Sequence, residues 1–319
     1  MFRSSKKTTR RSHNRQPWGY ESLEKKEMMA GNVTMTFDPV THNLLLMGDG
    51  AANQVTIRQA PMNGNIAVFG NPGTGTTINF APVLVIPGPA AGNVTVNLDA
   101  GDDSLWVKDL VFNNVAVNEV GTGKDIVSFS NVRAKGQVSI TTLGGNDQVS
   151  VAGDFAHNVG INTGDGEDTV RVSGRMGVVM NPLGVVDPEY VFGGMSGGGS
   201  LLNIDTGAEK DVVTLIELAV DGRVNILTGE GNDIVRNKAV RVADRYDAFM
   251  GSGDDLFRVE NTLTPIMEIR LEDGRDTFTQ VPGTLPVIRR ANGGLGMMDT
   301  ANLNGGPVGV LVGFETVNP

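Results

Sequence analysis

The feature that most constrains the fold of this chain is an aspartate that follows a glycine-containing turn and recurs at an almost constant interval. The successive gaps are 22, 22, 21, 43, 22, 22 and 21 residues. A fixed period of this size is typical of a solenoid in which each repeat forms one coil. The repeated aspartates are Asp103, Asp125, Asp147, Asp168, Asp211, Asp233, Asp255 and Asp276.

Apolar residues keep phase with the aspartate on both sides of the turn. Residues at positions +2 and +4 are apolar, as in Val149 and Val151, and so are residues near −9 and −7, as in Val138 and Ile140. Alternation with a period of two indicates a half-buried strand. The glycine between the two strands supplies a positive φ angle. The repeat therefore predicts an all-β fold.

We predict a right-handed parallel β-helix of about 10–12 coils, spaced about 4.8 Å apart, that forms a single domain over residues 31–319. A β-sandwich also has short, evenly spaced strands, but an aspartate in phase with a constant period favours the β-helix. Loop insertions are predicted near residues 82–92 and 180–200. The second of these is glycine-rich and replaces a degenerate coil in the 43-residue gap.

Charge is distributed unevenly between the first segment and the body. Residues 1–27 contain eight Lys or Arg and three acids, or +5, whereas the rest contains 18 and 33, or −15. An acidic body argues against nucleic acid as a partner, because phosphate binding requires a basic surface. No apolar run reaches the 18 residues that a transmembrane helix needs. The chain lacks cysteine, which excludes disulfides and thiolate metal sites.

Residues 1–30 are expected to form a disordered basic segment that directs export or surface attachment. Tyr20–Val33 resembles the LEPR-XLL segment that opens many large, repeat-rich proteins of planctomycete bacteria. Leu23 and Glu24 match that motif, Lys26 lies near its arginine, and Met28 and Met29 replace its leucine pair. The proline of the motif is missing. The resemblance implies a secreted or cell-surface location.

Three interpretations of the aspartate column are open at this point. Like carboxylates about 4.8 Å apart repel by about 1 kcal/mol in water and about 3–4 kcal/mol at an effective dielectric constant of 20. The first interpretation is structural: each aspartate accepts hydrogen bonds from backbone N–H groups near its turn. The cations Lys124, Lys210 and Arg275, which precede three of the aspartates, offset part of the repulsion.

The second interpretation is calcium binding. The segments TGDGEDTVRV, TGEGNDIVRN and GSGDDLFRV resemble the repeats-in-toxin nonapeptide, in which stacked turns bind Ca²⁺. That family repeats every nine residues, whereas this chain has one turn in about 22. The resemblance implies a calcium role for Asp168, Asp233 and Asp255, and further acids suit a hard cation. The candidate metal ligands are Asp103, Asp165, Asp168, Asp233, Asp254, Asp255 and Asp276.

The third interpretation is catalysis, because many parallel β-helices cleave polysaccharides with clustered acids. Hydrolysis requires two carboxylates in a shaped cleft, and a regular ladder does not specify one such pair. The sequence therefore favours a non-catalytic secreted or cell-surface protein with a structural, adhesive or assembly role. Expected partners are other copies of the chain, surface components or polysaccharide. A carbohydrate-active β-helix enzyme is the alternative.

Two further sequence features, a glycine-rich segment and a tryptophan, suggest ligand binding. Gly70–Thr77 resembles a phosphate-binding loop but has Thr76 where the motif requires lysine, and no helix pattern follows. It is interpreted as a turn of the repeat. Trp106 lies between two inward-facing positions, so it is expected to point outward, where it either covers a neighbouring coil or contacts a sugar.

Overall fold

The computed structural model describes residues 31–60, 64–71, 73–88, 91–178, 199–281, 288–294, 299–303 and 311–318. Strands and turns make up these residues, without a helix. The basic segment at residues 1–30, with its LEPR-XLL-like motif, lies outside the described residues, as does most of the 180–200 segment. The described residues contain no helix long and apolar enough to cross a membrane.

The described strands number 28 in chain order. The first fourteen are β1 (Asn32–Phe37), β2 (Leu44–Met47), β3 (Gln54–Gln59), β4 (Ile66–Gly70), β5 (Thr77–Ile78), β6 (Val83–Ile86), β7 (Val94–Asp99), β8 (Ser104–Lys108), β9 (Val111–Phe112), β10 (Val115–Glu119), β11 (Ile126–Ala134), β12 (Val138–Thr141), β13 (Gln148–Phe155) and β14 (Val159–Asn162). The others are β15 (Thr169–Met176), β16 (Ser200–Asp205), β17 (Val212–Val220), β18 (Gly222–Leu227), β19 (Ile234–Lys238), β20 (Arg241–Val242), β21 (Arg245–Phe249), β22 (Leu256–Glu260), β23 (Ile266–Arg270), β24 (Thr277–Gln280), β25 (Ile288–Asn292), β26 (Thr300–Asn302), β27 (Leu311–Val312) and β28 (Thr316–Asn318).

The strands form a parallel β-solenoid, which confirms the fold predicted from the repeat. Each coil contributes one strand to a 13-stranded sheet and the next strand to a 15-stranded sheet. About eight turns keep the period of about 22 residues, fewer than the 10–12 coils predicted, and the turns at both ends are less regular. We call the first sheet the short sheet and the second the long sheet.

The core is a set of stacked columns that run along the solenoid. Residues in register on successive strands of the short sheet include Ile140, Ile161, Ile204 and Ile226, all buried. Burial alternates along nearly every strand, as the period-two pattern predicts. No coil closes a core alone, so each coil depends on its neighbours for burial.

Residues 32–37 and 66–86 depart from the parallel stack. Strand β1 pairs antiparallel with β2, and β4 pairs antiparallel with both β3 and β6. The segment Gly70–Thr77 connects β4 to β5 in this region, so its interpretation as a repeat turn is wrong. These strands cover the first parallel coil, formed by β2 and β3, and thereby protect its edge from other strands.

The 43-residue gap contains no intervening coil. Strand β15 pairs directly with β17, and β14 pairs directly with β16. The expectation of a degenerate coil between Asp168 and Asp211 is therefore wrong, because these strands are direct neighbours. Of the two predicted insertions, the one near residues 82–92 contains β6, which belongs to the antiparallel region.

Close contacts between stacked turns explain the repeated glycine. Gly231 has a φ of 146°, and a Cβ atom built on it would lie 1.7 Å from the carbonyl oxygen of Glu209 in the preceding coil. A side chain there meets backbone, which cannot yield cheaply. Gly160, in contrast, has open space at its Cβ position.

We expect Gly231→Ala to lower the free energy of unfolding by more than about 2 kcal/mol, because the substitution strains the backbone and forces two coils apart. Gly160→Ala is the matched control and should be neutral or stabilising by about 0.5 kcal/mol. Urea unfolding followed by circular dichroism measures both. Equal effects of the two substitutions would contradict the close-contact explanation.

Candidate functional site

The repeated aspartates lie in a continuous interior row at the corner where each coil enters the long sheet. All of them are at most 3% exposed, although they are acidic. Asp299 belongs to the same row and extends it by one coil. We call the nine residues the ladder aspartates: Asp103, Asp125, Asp147, Asp168, Asp211, Asp233, Asp255, Asp276 and Asp299.

Each ladder aspartate accepts a hydrogen bond from the backbone of the coil before it. The Oδ1 atom of Asp233 accepts the N–H of Asp211 at 2.8 Å, and Oδ1 of Asp255 accepts the N–H of Asp233 at 2.8 Å. The same bond joins every successive pair, including Asp168 and Asp211 across the long gap. The donor-to-acceptor distances lie between 2.6 and 2.9 Å.

This bond replaces a backbone bond that the turn cannot provide. The carbonyl of each aspartate accepts the N–H of the first strand residue in the next coil, as in Asp211 with Ile234. In a regular parallel ladder, the N–H of each aspartate would donate to a backbone carbonyl of the next coil. At this corner the backbone of the next coil bends away in its turn, so the carboxylate of the next ladder aspartate accepts the hydrogen bond instead. A buried N–H without an acceptor would destabilise the fold.

The two ends of the row use different side chains. Asn53 holds the position in the first coil, where its N–H donates to Asp103 and its amide donates to three backbone carbonyls. Glu315 holds the position in the last described coil, where Oε2 accepts the N–H of Asp299 at 2.6 Å. Glu315 shows that the acceptor oxygen at this position does not have to come from aspartate, whereas Oδ1 of Asn53 accepts no hydrogen bond from the described residues.

The second carboxylate oxygen sets the electrostatics of the row. Oδ2 is buried without a hydrogen-bond partner among the described residues in every ladder aspartate except Asp125. Burial disfavours the charged form, and adjacent aspartates add repulsion. Together they raise the pKa of Asp103 to about 7 and those of Asp211 and Asp255 to about 8. The carboxyl groups therefore retain protons at pH values where an exposed aspartate is ionised.

A column of buried threonines faces the middle of the row. The hydroxyls approach the carboxyl groups without good hydrogen-bond geometry, and they oppose part of the rise in pKa. The column consists of Thr142, Thr163, Thr206 and Thr228.

Glu119 occupies the position of the threonine column in the coil before Thr142. Its Oε2 accepts the N–H of Leu98 at 2.9 Å, and its Oε1 has no partner among the described residues. Burial, reinforced by the charges of Asp103 and Asp125, raises the pKa of Glu119 to about 9. This residue was not predicted from the sequence. Its only signal is an acid at an inward-facing strand position.

The seven predicted metal ligands do not come together at one place. Asp103, Asp168, Asp233, Asp255 and Asp276 are ladder aspartates in the interior. Asp165 and Asp254 are exposed on the outside of the turns, where Oδ1 of Asp254 accepts the N–H of Arg275. The described residues contain no group of three or more His, Cys, Asp or Glu side chains arranged to hold a metal ion. The arrangement thus does not match a multi-carboxylate calcium site.

A second side-chain ladder was also missed from the sequence. At the start of the short sheet, the Oδ1 atom of Asn43 accepts the N–H of Asn93, and Oδ1 of Asn114 accepts the N–H of Gln137. Asn158 accepts the N–H of Leu201 in the same way. The available signal was the recurrent asparagine directly before the first buried aliphatic residue of these strands.

No protein-family model matches this chain, and no curated protein or solved structure matches it significantly.

We expect Asp211→Ala to lower the free energy of unfolding by about 1–3 kcal/mol, because it leaves the N–H of Asp168 buried without an acceptor. Asp211→Asn keeps an acceptor oxygen and should cost less than half as much. The control is Glu230→Ala, an exposed acid of the next turn, which should change stability by less than about 0.5 kcal/mol. Urea titration measures all three variants. Equal losses for Ala and Asn would show that the N–H bond is not the decisive contact.

The raised pKa values also predict an unusual dependence of stability on pH. Unfolded carboxyl groups lose their protons near pH 4, whereas the buried groups retain theirs up to about pH 6–9. Stability is therefore greatest near pH 4–5 and falls as the pH rises toward 9. We expect the melting temperature to be lower at pH 8 than at pH 5. Glu119→Gln should raise it at pH 8 and reduce the difference. A variant without effect on that difference would contradict the assignment.

Proposed function

We propose that this chain is a non-catalytic, secreted or cell-surface repeat protein with a structural, adhesive or assembly role. The observation that carries the proposal is the use of the ladder aspartates. The most regular ionisable residue of the repeat lies in the interior, and one of its oxygens binds backbone. Such a row supports coil stacking and presents no pair of carboxylates to a substrate.

The exterior supports a role in contact with other molecules. Outside the buried row, the turns carry exposed acids such as Asp165, Glu230 and Asp254. The outward faces of the strands carry other side chains, including exposed arginines. Successive coils place equivalent side chains about 4.8 Å apart. A long, regular surface of this kind suits an extended partner better than a small molecule.

Assembly is supported by the strands at the far end of both sheets. Strands β27 and β28 are the outermost strands of the described short and long sheets. Their outward N–H and C=O groups offer a template for a further parallel strand. Either another copy or a further coil of the same polypeptide would satisfy them.

Two measurements test the proposal. Protease accessibility on intact cells measures surface location, and we expect the natural protein to be cleaved without cell lysis. Release of reducing ends from acidic and neutral polysaccharides measures the alternative activity, and we expect none above the level of heat-denatured protein. Release that depends on the folded chain would favour the carbohydrate-active enzyme.

Calcium stabilisation is a separate part of the proposal. The unpartnered Oδ2 atoms are the only oxygens of the ladder aspartates that could face a cation. Binding to the folded state alone would raise the melting temperature with ligand concentration, and the effect should be larger at pH 8, where protons compete less. A melting temperature that is unchanged between millimolar Ca²⁺ and chelator at pH 8 would remove calcium from the proposal.

A further inference from the structure

The outer surface of the long sheet contains one row in which aromatic and arginine side chains follow one another along the solenoid. Strand pairing places Phe69, Thr56 and Trp106 in register, with Ser128 and Ser150 next. Beyond the serines, pairing continues through the arginines of strands β15, β19 and β22. We call this the outer row; its later members are Arg171, Thr214, Arg236, Arg258, Thr279 and Asn302.

The outer row and its neighbours are strongly basic, in contrast to the acidic body. Arg171, Arg236 and Arg258 are exposed on one line. Arg58, Lys108 and Lys238 are exposed two residues further along their strands. Glu260 is the one acid among the described outward positions of the five strands that carry these cations, β3, β8, β15, β19 and β22. The strands between them add the outward acids Asp154, which pairs with Arg175, and Glu217, but cations still outnumber acids, so the face carries a local positive potential on a chain of net charge −10.

The arginines of the row are largely unpaired. Arg236 and Arg258 stack in direct register, where two like charges repel. Arg258 approaches Glu260 at 3.8 Å, and Lys238 approaches the same carboxylate at 3.6 Å. Among the described residues, Arg171 and Arg236 have no carboxylate within 4 Å. Exposed guanidinium groups without partners are free to bind an external carboxylate or sulfate with two parallel hydrogen bonds.

The aromatic end of the row offers flat apolar surfaces. Phe69 and Trp106 are partly exposed on either side of Thr56, which is 7% exposed. The guanidinium of Arg58 lies 5.2 Å from the centre of the Phe69 ring. A groove of about 520 Å³ adjoins this pair and includes Gly75, Pro82 and Val83 in its walls. Aromatic faces of this kind accept the C–H faces of sugar rings.

We propose that the outer row binds an extended acidic polysaccharide that lies along the solenoid axis. Its sugar rings stack on Phe69 and Trp106, and its carboxylates or sulfates bind Arg171, Arg236 and Arg258. The row advances one residue per coil, about 4.8 Å, which is close to the length of one pyranose unit. From Phe69 to Asn302 it spans ten steps, or about 48 Å. Nucleic acid fits less well, because its dense phosphates would meet the acidic turns that border this face.

This inference rests on the adhesive role proposed above. The test measures binding of the full chain to immobilised polygalacturonate by surface plasmon resonance at several salt concentrations. We expect the triple variant Arg171→Gln, Arg236→Gln and Arg258→Gln to bind at least tenfold more weakly and with a weaker dependence on salt. Trp106→Ala should weaken binding at least threefold and leave the salt dependence unchanged, because stacking is not ionic.

Matched controls separate the row from general charge effects. Lys210→Gln, Arg275→Gln and Arg290→Gln remove three charges from exposed positions outside the long sheet, and together they should change binding less than twofold. Replacement of the three row arginines by lysine keeps the charges and loses the paired guanidinium hydrogen bonds, so it should weaken binding less than the glutamine triple and leave the salt dependence as it is in the unsubstituted chain. Unchanged melting temperatures show that each variant folds.

Four outcomes would overturn the inference: no binding to polygalacturonate, equal loss in the control triple, binding as tight to methyl-esterified polygalacturonate, or tighter binding to single-stranded DNA. A protein that is accessible on intact cells and fails to bind would remove this inference and leave the proposed surface location intact. A protein that binds polygalacturonate but is never accessible on intact cells would support this inference and remove the proposed surface location.

Discussion

The hydrogen bond from a backbone N–H to the carboxylate of the next coil is the contact on which the rest of this structure depends. A tight turn brings two strands into adjacent sheets in a few residues, but it removes the carbonyl that a parallel neighbour should offer. The ladder aspartate restores an acceptor at the same height in every coil. This bond fixes the register of both sheets at the corner. As a result, the apolar side chains of successive coils lie directly above one another.

Glycine and aspartate therefore act as one device. Stacked turns approach so closely that a Cβ atom at Gly231 would collide with the backbone of the coil before it. The same closeness buries the carboxylate and raises its pKa, since water is excluded from Oδ2. A protonated carboxyl group can keep its Oδ1 bond to the N–H while it avoids repulsion from its neighbours. This removes most of the repulsion expected between like charges at the coil spacing.

The sequence was sufficient to predict the solenoid, its period and the inward faces of its strands, because these follow from local alternation and an in-phase turn. It could not show that the aspartate points inward, since exposed calcium turns and buried ladders share the pattern Gly-x-Gly-x-Asp. Glu119 and the antiparallel strands over the first coil were also missed. The acid at 119 breaks the expected apolar alternation, and the pattern of β4 and β6 does not reveal strand direction. Only pairing in three dimensions decides these points.

The same hydrogen bond explains why the interior side chains are regular and the exterior side chains vary. Once register is held by the interior row, outward side chains have no part in fixing the coil, and each can vary independently. The outer row changes from aromatic at Trp106 to serine at Ser150 and arginine at Arg171, while the residues of the row stay in register with one another. Adjacent arginines such as Arg236 and Arg258 repel each other and contribute nothing to stacking. Coil stacking therefore does not account for their placement, and the proposed acidic polysaccharide would account for it.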